Sequence, residues 1–348
     1  MMRKTRLLAT LGPATDSDEM LEQLIAAGVD TVRLNMSHAQ HDWCRELTHR
    51  VRQHAEAAGR MVGVLFDLQG PSIRTGTLET PYQLKAGDRV EFHLRSAEAS
   101  LPISTSVNYD GLPGDVSVGA TLIVDNGSLI MEIEEVREDR ILCLNKTPGE
   151  LGSRRHINLP GVRLNLPALT EKDRKDLALA VECEADYVAG SFVRDAGHVK
   201  ELKAAIRDLG GTAQLVSKLE DQEAIRNLRD IIAESDLIMV ARGDLGIEVH
   251  IEELPIIQRR IVKTCIEAGR RVIVATHLLE SMISNPTPTR AEVTDVANAV
   301  FEEADALMVS GETSVGKYPV RCIEILDQVA RRIERSGGLG YGNNTVLR

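Results

Sequence analysis

Short apolar runs rich in β-branched residues alternate along this chain with longer stretches whose apolar residues recur at helical spacing. This alternation predicts parallel β-strands joined by crossover helices. The runs that fit a strand are residues 6–11, 30–36, 62–68, 186–192, 214–219, 237–241, 271–275 and 306–309. Helix signals lie between them. Acidic and hydroxyl residues at 16–19 precede an apolar helix that ends at Gly28, and Thr170 with Asp173 forms a near capping box.

Eight strand and helix repeats in roughly 250 residues are what a (β/α)8 barrel requires. The pattern changes after the third strand, where period-two segments are separated by Gly, Asp and Asn turn residues. These segments are 75–84, 88–94, 121–124 and 130–133. We therefore predict an α/β fold, a (β/α)8 TIM barrel with a small antiparallel β-barrel-like domain inserted after strand 3. The predicted divisions are the first part of the barrel at 1–71, the inserted domain, acting as a lid over the barrel mouth, at 72–157, the second part of the barrel at 158–335 and a flexible tail at 336–348.

Composition and charge exclude several classes of protein. Hydrophobic residues make up 43% and charged residues 27% of the 348 residues, a balance typical of globular proteins and not of disordered ones. No apolar run approaches the roughly 20 residues that cross a bilayer, so we expect no membrane partner. The formal net charge of −11 and the lack of a dense Lys/Arg block argue against a nucleic-acid partner. Scattered cysteines without CxxC spacing favour a reducing, cytoplasmic location.

Polar residues follow the predicted strands, and the carboxyl ends of barrel strands converge on one pocket. These strand ends carry Arg33, Asn35, Ser37 and His38, then Asp67, Lys218 and Glu220, Gly243 and Asp244, Thr276 and His277, and Ser310 and Glu312. The carboxylates of Glu220 and Asp244 suit a hard divalent cation, Mg²⁺ or Mn²⁺, which takes few protein oxygens and completes its shell with water and substrate. With Lys218 and Arg33 beside them, this set can neutralise charge in the transition state of phosphoryl transfer.

Both central motifs also have structural interpretations. Lys218 and Glu220 alternate on one strand, and such a pair is often an exposed face or an internal ion pair. On the inner lining of a barrel, however, a buried lysine and glutamate are costly unless they bind something. The turn at 242–246 is in the simplest case a strand-to-helix connection. Its amides at Gly243 and Asp244 would also suit a carboxylate or phosphate group.

A set of longer motifs resembles the pyruvate kinase family. The motifs are TLGPAT at 10–15, RLNMSH at 33–38, LFDLQGPSIRTG at 65–76, NLPG at 158–161, SKLE at 217–220, MVARGDLG at 239–246, ESMI at 280–283, PTRAEVTDVANAV at 288–300 and SGET at 310–313. Together they cover essentially residues 4–335. The resemblance implies the family's barrel, called the A domain, and its mobile inserted B domain. The family's C-terminal regulatory domain, with its effector site, is expected to be absent.

The resemblance also implies a role for each matched residue. The implied catalytic residues are Lys218, Arg33, Thr276, Ser310 and Glu312, and the implied substrate-binding residues are Gly243, Asp244, Thr276 and Lys218. The implied metal ligands are Glu220 and Asp244 for Mg²⁺, with Asn35, Ser37, Asp67 and the Leu68 carbonyl for K⁺. The implied nucleotide contacts are Asn35, His38, Arg74, Arg155 and Trp43. Lys218 would stabilise the phosphoryl group in flight, and Ser310 with Glu312 would lie on the route of a proton to the enolate carbon.

The implied reaction transfers a phosphoryl group between phosphoenolpyruvate and ADP, giving pyruvate and ATP, in a Mg²⁺-dependent homo-oligomer that assembles through its barrel. Ser72 stands where potassium-dependent members carry Glu and potassium-independent ones carry Lys, so a K⁺ requirement stays open. Departures at Asn165, Asp221 and His277 support a second hypothesis, a divergent paralogue that acts on another 2-oxo acid or enolate as a kinase or a metal-dependent aldolase or decarboxylase. A third hypothesis is a non-catalytic ligand-binding regulator.

Overall fold

The computed structural model describes residues 3–336, which form a closed barrel, a second sheet and a layer of surrounding helices. The strands are β1 (Arg6–Thr10), β2 (Thr31–Asn35), β3 (Gly63–Asp67), β4 (Ile73–Arg74), β5 (Tyr82–Leu84), β6 (Arg89–Leu94), β7 (Ser104–Val107), β8 (Thr121–Val124), β9 (Leu129–Val136), β10 (Arg140–Asn145), β11 (Gly149–Leu151), β12 (His156–Asn158), β13 (Tyr187–Gly190), β14 (Gln214–Leu219), β15 (Leu237–Ala241), β16 (Arg271–Ala275) and β17 (Ala306–Val309). The helices are α1 (Asp18–Ala27), α2 (His41–Ala57), α3 (Leu112–Asp115), α4 (Glu171–Glu182), α5 (Ala196–Asp208), α6 (Gln222–Arg226), α7 (Leu228–Glu234), α8 (Arg242–Glu248), α9 (Leu254–Glu267), α10 (Arg290–Phe301), α11 (Gly311–Ser314) and α12 (Pro319–Arg335), with short 3₁₀ helices at Ile251–Glu253 and Glu280–Ile283.

Eight strands close into a parallel barrel in the order β1-β17-β16-β15-β14-β13-β3-β2, which confirms the predicted fold class. The strands β14 to β17 have the predicted bounds, whereas β1, β2, β3 and β13 are shorter at one or both ends. For β2 and β13 the reason lies in the preceding aspartates. Asp30 Oδ2 accepts a hydrogen bond from the Leu7 amide and Asp186 Oδ2 accepts one from the Val64 amide. These carboxylates cap neighbouring strands instead of extending their own.

Apolar side chains fill the barrel from inside and cover it from outside. In β15, Leu237 and Met239 belong to the inner cluster, whereas Ile238 and Val240 belong to the larger cluster between strands and helices. This alternation is the period of two that a barrel strand requires. Because all eight strands run in the same direction, the polar residues that follow them share one rim of the barrel.

The predicted helix signals are confirmed. The Met20 amide donates to Ser17 Oγ at 3.2 Å at the start of α1, and Gly28 ends the helix with a φ of 109°. Thr170 and Asp173 form a complete capping box at the start of α4. Asp173 is buried and also accepts a hydrogen bond from an amide in the loop after β3. The start of α4 is therefore attached to the place where the chain leaves the barrel.

Between β3 and α4 the chain builds a second sheet of seven strands, in the order β4-β12-β8-β9-β10-β6-β7. An antiparallel bridge between Thr75 and Val107 joins its two edges, as in a small barrel. Phe92, Leu122 and Met131 are among the buried residues of its own hydrophobic core. The inserted β-structure expected after strand 3 is therefore present.

The inserted sheet departs from the prediction at two places. The strands β6 and β7 pair in parallel, because the segment between them runs back along β6 and its Ser100 amide donates to the buried Glu91 carboxylate at 2.9 Å. The strand predicted at 75–84 reduces to β5, which pairs with β11 in a separate two-stranded sheet. Gly76 and Pro81 interrupt this segment, and proline cannot donate a hydrogen bond to a ladder.

The second sheet runs from Ile73 to Asn158, and the domain divisions given above stay a prediction. The predicted tail lies outside the described residues, except for Ser336. No helix of the described chain has both the length and the apolar character needed to cross a membrane. All five cysteines are free thiols, and four of them are buried.

Candidate active site

Lys218 lies at the centre of a cluster of charges at the carboxyl ends of the barrel strands. Its Nζ is 3.2 Å from Asp67 Oδ1, at the end of β3, and 3.0 Å from Glu220 Oε1, just after β14. It also donates to Ser191 Oγ at 2.7 Å. Arg33 on β2 binds the other oxygen of Asp67, with Nε 2.7 Å from Oδ2. Two cations and two carboxylates, each predicted from a strand end, meet in one buried network.

Burial and charge oppose each other in this cluster. Burial disfavours the charged ammonium of Lys218, but Asp67 and Glu220 outweigh it and hold the pKa of the lysine above its ordinary value. Burial raises the pKa of Glu220, and Lys218 offsets only part of that rise. Burial would also raise the pKa of Asp67, but Lys218 and Arg33 overcome it and lower the pKa. The lysine therefore keeps its charge, and Glu220 is the carboxylate more easily protonated.

Asp244 enters the same site from the first turn of α8, which begins directly after β15. The buried Arg242 anchors this turn by donating to the Thr276 carbonyl at 2.6 Å. The Gly243 amide donates to Thr276 Oγ1 at 2.8 Å. Thr276 and His277 have positive φ angles of 68° and 55°, a conformation that is costly for residues other than glycine and that clusters at functional sites. These hydrogen bonds hold the start of α8 and the loop after β16 together at the barrel mouth.

Glu220 and Asp244 form the pair of carboxylates available to a divalent cation. Glu220 is almost fully buried and follows β14, which pairs with β15, the strand just before Asp244, and the charge of Asp244 adds to the rise of the Glu220 pKa. Burial would raise the pKa of Asp244, but a hydrogen bond with His156 helps to lower it. One buried and one partly exposed carboxylate fit Mg²⁺ or Mn²⁺. The described chain holds no group of three or more His, Cys, Asp and Glu that would bind a metal alone, so substrate or water oxygens would complete the coordination.

The predicted K⁺ ligands lie on neighbouring ends of β2 and β3, where Asn35 and Asp67 are paired in the ladder. The Ser37 amide donates to Asn35 Oδ1 at 3.2 Å, and the Leu68 carbonyl accepts from Ser191 Oγ at 2.7 Å. Asp67 Oδ1 is buried and makes no hydrogen bond of good geometry, although the lysine lies nearby. A corner rich in oxygen atoms, in which Asp67 Oδ1 has only its ion pair with Lys218, fits a monovalent cation.

Glu312 is fully buried beneath the site, and its carboxylate binds backbone amides. Its Oε2 accepts from the Ser310 amide at 2.7 Å, and its Oε1 accepts from the Leu279 amide at 3.1 Å. Leu279 lies in the loop that begins at Thr276, so Glu312 ties together the loops after β16 and β17. These contacts assign Glu312 a positioning role, and the proton route through Ser310 stays a prediction.

A cavity of about 520 Å³ opens beside this network, between the ends of β1 and β2 and the start of α2. Three of the predicted nucleotide residues, Asn35, His38 and Trp43, line it together with residues 10–13. Trp43 Nε1 donates to Asp16 Oδ2 at 3.1 Å, which fixes the plane of the indole ring. The cavity offers an aromatic wall and polar groups, the combination expected of a ligand site.

The other two predicted nucleotide residues, Arg74 and Arg155, belong to the inserted part of the chain and do not line this cavity. Arg74 Nε donates to Ser72 Oγ at 3.1 Å, and the charge of Arg74 interacts with that of Asp244. Arg155 lies 3.5 Å from Asp125 beside the inserted sheet. The structure thus brings Arg74 towards the carboxylate pair, whereas Arg155 is engaged elsewhere.

Comparison with known proteins agrees with this geometry. The family described as pyruvate kinase, barrel domain, matches residues 2–323. The chain belongs to the pyruvate kinase family. A pyruvate kinase from Sporosarcina psychrophila is 40% identical to it over 337 residues, which cover 96% of this chain and 57% of that protein. A pyruvate kinase from Mycobacterium intracellulare is 42% identical over 335 residues, which cover 96% of this chain and 71% of that protein.

A solved pyruvate kinase structure has the same fold as this family member. The crystal structure, from Cryptosporidium parvum, matches with a TM-score of 0.92 at 36% identity, covering 96% of this chain and 70% of that chain. The chain spans 57% or 58% of the length of the curated pyruvate kinases that it matches first.

The candidate site contains residues that the strand-end pattern left unnamed. Ser191 contacts Lys218, and the Phe192 amide donates to Glu220 Oε2 at 2.6 Å. Both follow β13, and applying the shared-rim argument to the end of that strand would have found them. His156, 3.5 Å from Asp244, could not be found by this argument, because it lies on the inserted sheet and not at the end of a barrel strand.

Proposed function

We propose that this member of the pyruvate kinase family transfers a phosphoryl group between phosphoenolpyruvate and ADP, giving pyruvate and ATP, with Mg²⁺ or Mn²⁺. The observation that carries the proposal is the charged Lys218, held between Asp67 and Glu220 beside a nucleotide-sized cavity. Catalysis of phosphoryl transfer consists mainly of positioning and of neutralising charge on the transferred group. The free cysteines suit a reducing compartment, which supports a cytoplasmic location.

The residues around Lys218 have distinct tasks in the proposed reaction. A divalent cation held by Glu220 and Asp244 would supply Lewis-acid stabilisation of phosphoryl and enolate oxygens. The Thr276 hydroxyl and the Gly243 amide, which share a hydrogen bond, would bind the carboxylate of the acid. Ser310, whose amide is held by a buried carboxylate, would lie on the route of a proton to the enolate carbon. Lys218 would neutralise the phosphoryl group as it moves.

Pyruvate formation from phosphoenolpyruvate, ADP and Mg²⁺ tests the proposal directly. We expect turnover, measured as the initial rate of pyruvate release. The same assay with and without K⁺ shows whether turnover needs a monovalent cation at Asn35 and Asp67. This is open because Ser72 stands where other family members carry Glu or Lys. Binding of phosphoenolpyruvate without any pyruvate formation would contradict the kinase proposal.

A second candidate substrate is a larger 2-oxo acid. The exposed His277 ring lies beside Gly243, with Cε1 3.8 Å from the position that a β-carbon on Gly243 would take. It therefore borders the proposed carboxylate subsite. Faster phosphorylation of 2-oxobutyrate than of pyruvate in the reverse reaction would favour this candidate. An aldolase or decarboxylase has no use for a nucleotide cavity, so the cavity favours a kinase.

Trp43, the single tryptophan of the sequence, should report nucleotide binding. Its indole lines the proposed nucleotide cavity, so ADP should change its emission as the ring becomes covered. The measurement is a fluorescence titration with ADP, and Trp43→Phe provides the background. His38→Ala, on the same cavity, should shift the midpoint to higher ADP. ADP binding seen by calorimetry without any change in emission would place the nucleotide elsewhere.

We also propose a homo-oligomer that assembles through the outside of the barrel. Ile251, in the 3₁₀ helix before α9, and Ile256, near the start of α9, are 70% and 63% exposed and lie close in sequence. Exposed apolar side chains that lie together often mark a protein interface. Light scattering should give a multiple of 38.1 kDa, and Ile256→Glu should lower the mass. A monomeric mass for the wild type would contradict the proposal.

A further inference from the structure

The last strand of the inserted sheet contacts the helix that carries Asp244 at two points. On β12, His156 and Asn158 lie on the same side, because side chains alternate along a strand. His156 Nδ1 lies 3.5 Å from Asp244 Oδ1, and Asn158 Nδ2 donates to Glu248 Oε1 at 2.9 Å. Asp244 and Glu248 are about one turn apart on α8, roughly 6 Å along the axis, which matches the roughly 6.6 Å between alternate strand residues. The spacing of His156 and Asn158 on the strand therefore matches the spacing of Asp244 and Glu248 on the helix.

The contact between Asn158 and Glu248 is buried and incompletely paired. The two residues are 3% and 7% exposed, and Asn158 Oδ1 has no hydrogen-bond partner. Buried carbonyl oxygens are rarely left unpaired in folded proteins. A protonated Glu248 would supply the missing donor, since its O–H can donate to Asn158 Oδ1 while its other oxygen still accepts from Nδ2.

We propose that Glu248 is a positioning residue whose protonated form pairs with Asn158 through two hydrogen bonds and so holds the inserted sheet over Asp244. The strand β12 pairs with β4 so that His156 is opposite Arg74. Holding β12 in place therefore also holds the Arg74 cation near Asp244. Deprotonation of Glu248 removes one of the two hydrogen bonds and loosens the attachment. The consequence for catalysis rests on the proposed function, whereas the pairing does not.

The charges around Glu248 agree with a proton being held there. Burial is the main influence and raises the pKa of Glu248 to about 7, with the negative charges of Asp221 and Asp244 adding to the rise. The hydrogen bond from Asn158 and the cation of Arg194 act in the opposite direction but do not outweigh burial, and Arg194 is itself paired with Asp221 at 2.8 Å. His156, the titratable residue on β12, contacts Asp244 instead. Because the folded-state pKa of Glu248 is raised, the pair stabilises the attachment of β12 to α8 fully below the ordinary pKa of 4.5. This stabilisation is lost as pH rises through about 7.

A bound water is the competing explanation for Asn158 Oδ1. A cavity of about 20 Å³ adjoins the pair and is lined by Asn158, Glu248, Ser72 and Arg194, among others. This space is enough for about one water molecule, which would donate to the amide oxygen in place of Glu248. With a water there, attachment of the inserted sheet would not depend on the proton of Glu248.

Hydrogen exchange of the whole chain tests the pairing without substrate or metal. The measurement is the protection of backbone amides at 156–159, with each rate divided by its intrinsic rate at that pH. We expect wild-type protection to fall by up to about tenfold per pH unit above pH 7, because one proton is lost. Glu248→Gln keeps both hydrogen bonds without titrating, so its protection should stay constant. Glu248→Ala should show low protection at every pH.

Glu91→Gln is the matched control, because Glu91 is a buried carboxylate of the same sheet whose pKa lies below its ordinary value. This variant should keep the wild-type pH dependence. Wild-type protection that does not change with pH, or that falls equally in Glu248→Gln, would overturn the inference, and the wild-type result needs no variant to fold. In turnover assays, Glu248→Gln should keep its kcat/KM to higher pH than the wild type. Absence of turnover in both the wild type and Glu248→Gln would reject the proposed function, but it would not affect the hydrogen-exchange result.

Discussion

Replacing Lys218 with methionine should abolish phosphoryl transfer while leaving the barrel folded. The expected fall in kcat is on the order of 10³–10⁵-fold, the range for losing one cation that neutralises phosphoryl charge in the transition state. Methionine has a similar length, but it leaves Asp67 and Glu220 without their shared cation. Their pKa values should then rise, so protonation can relieve the unpaired charge without unfolding. Initial rates of pyruvate formation measure the effect.

The matched control for this variant is Lys203→Met. Lys203 on α5 also pairs with an aspartate, with Nζ 2.7 Å from Asp236 Oδ1, but it belongs to the outer helical layer. Its partly exposed ion pair contributes little to the stability of the fold and lies away from the candidate site. Turnover should therefore stay within about twofold of the wild type. Circular dichroism should show both variants folded. A Lys218→Met enzyme with near wild-type turnover would remove this lysine from the proposed mechanism.

The second large effect concerns the metal, because Asp244→Asn should weaken divalent-cation binding by at least about 10²-fold and turnover with it. The change removes one of two carboxylate ligands from the proposed site. Asparagine keeps the size of the side chain and an oxygen that can accept a hydrogen bond from His156, so the first turn of α8 should persist. Mn²⁺ binding measured by paramagnetic resonance gives the affinity without any dependence on catalysis.

The pH dependence of metal binding separates Glu220 from Asp244. Since burial raises the pKa of Glu220, proton and cation compete there, and wild-type Mn²⁺ affinity should increase with pH until Glu220 is ionised. Calorimetry in buffers of different ionisation enthalpy should detect the released proton. The control is Asp139→Asn, which changes a partly exposed carboxylate paired with Arg140 and should leave affinity unchanged. Equal Mn²⁺ affinity in the wild type and Asp244→Asn would exclude Asp244 as a ligand.

The barrel and its central charges were predictable because both depend on periodicity. The strands β14 to β17 have the predicted bounds, and their β-branched apolar runs are the pattern of strands buried on both faces. Parallel strands place their carboxyl ends on one rim, so Asp67, Lys218 and Glu220 were expected to meet, and they do. The same argument applies to Ser191, which follows β13 on the same rim.

The inserted sheet was predictable as β-structure but not in its pairing. A period of two shows which side chains share a face, but it does not show which strand lies beside another, so the parallel pairing of β6 with β7 was missed. Arg155 illustrates the same limit, because its contact with Asp125 depends on how the inserted sheet curves. The cavity at Trp43 likewise required the packing of α2 against the ends of β1 and β2.

The sequence by itself determined the barrel, the presence of an inserted β-structure and the set of charged residues at the barrel mouth, because hydrophobic periodicity and strand direction suffice for each. Only the tertiary structure decided that His156 and Asn158 lie against Asp244 and Glu248. Those contacts join residues about 90 positions apart, on a strand of the inserted sheet and on α8. Their geometry follows from how the inserted sheet packs on this helix, which no local pattern encodes.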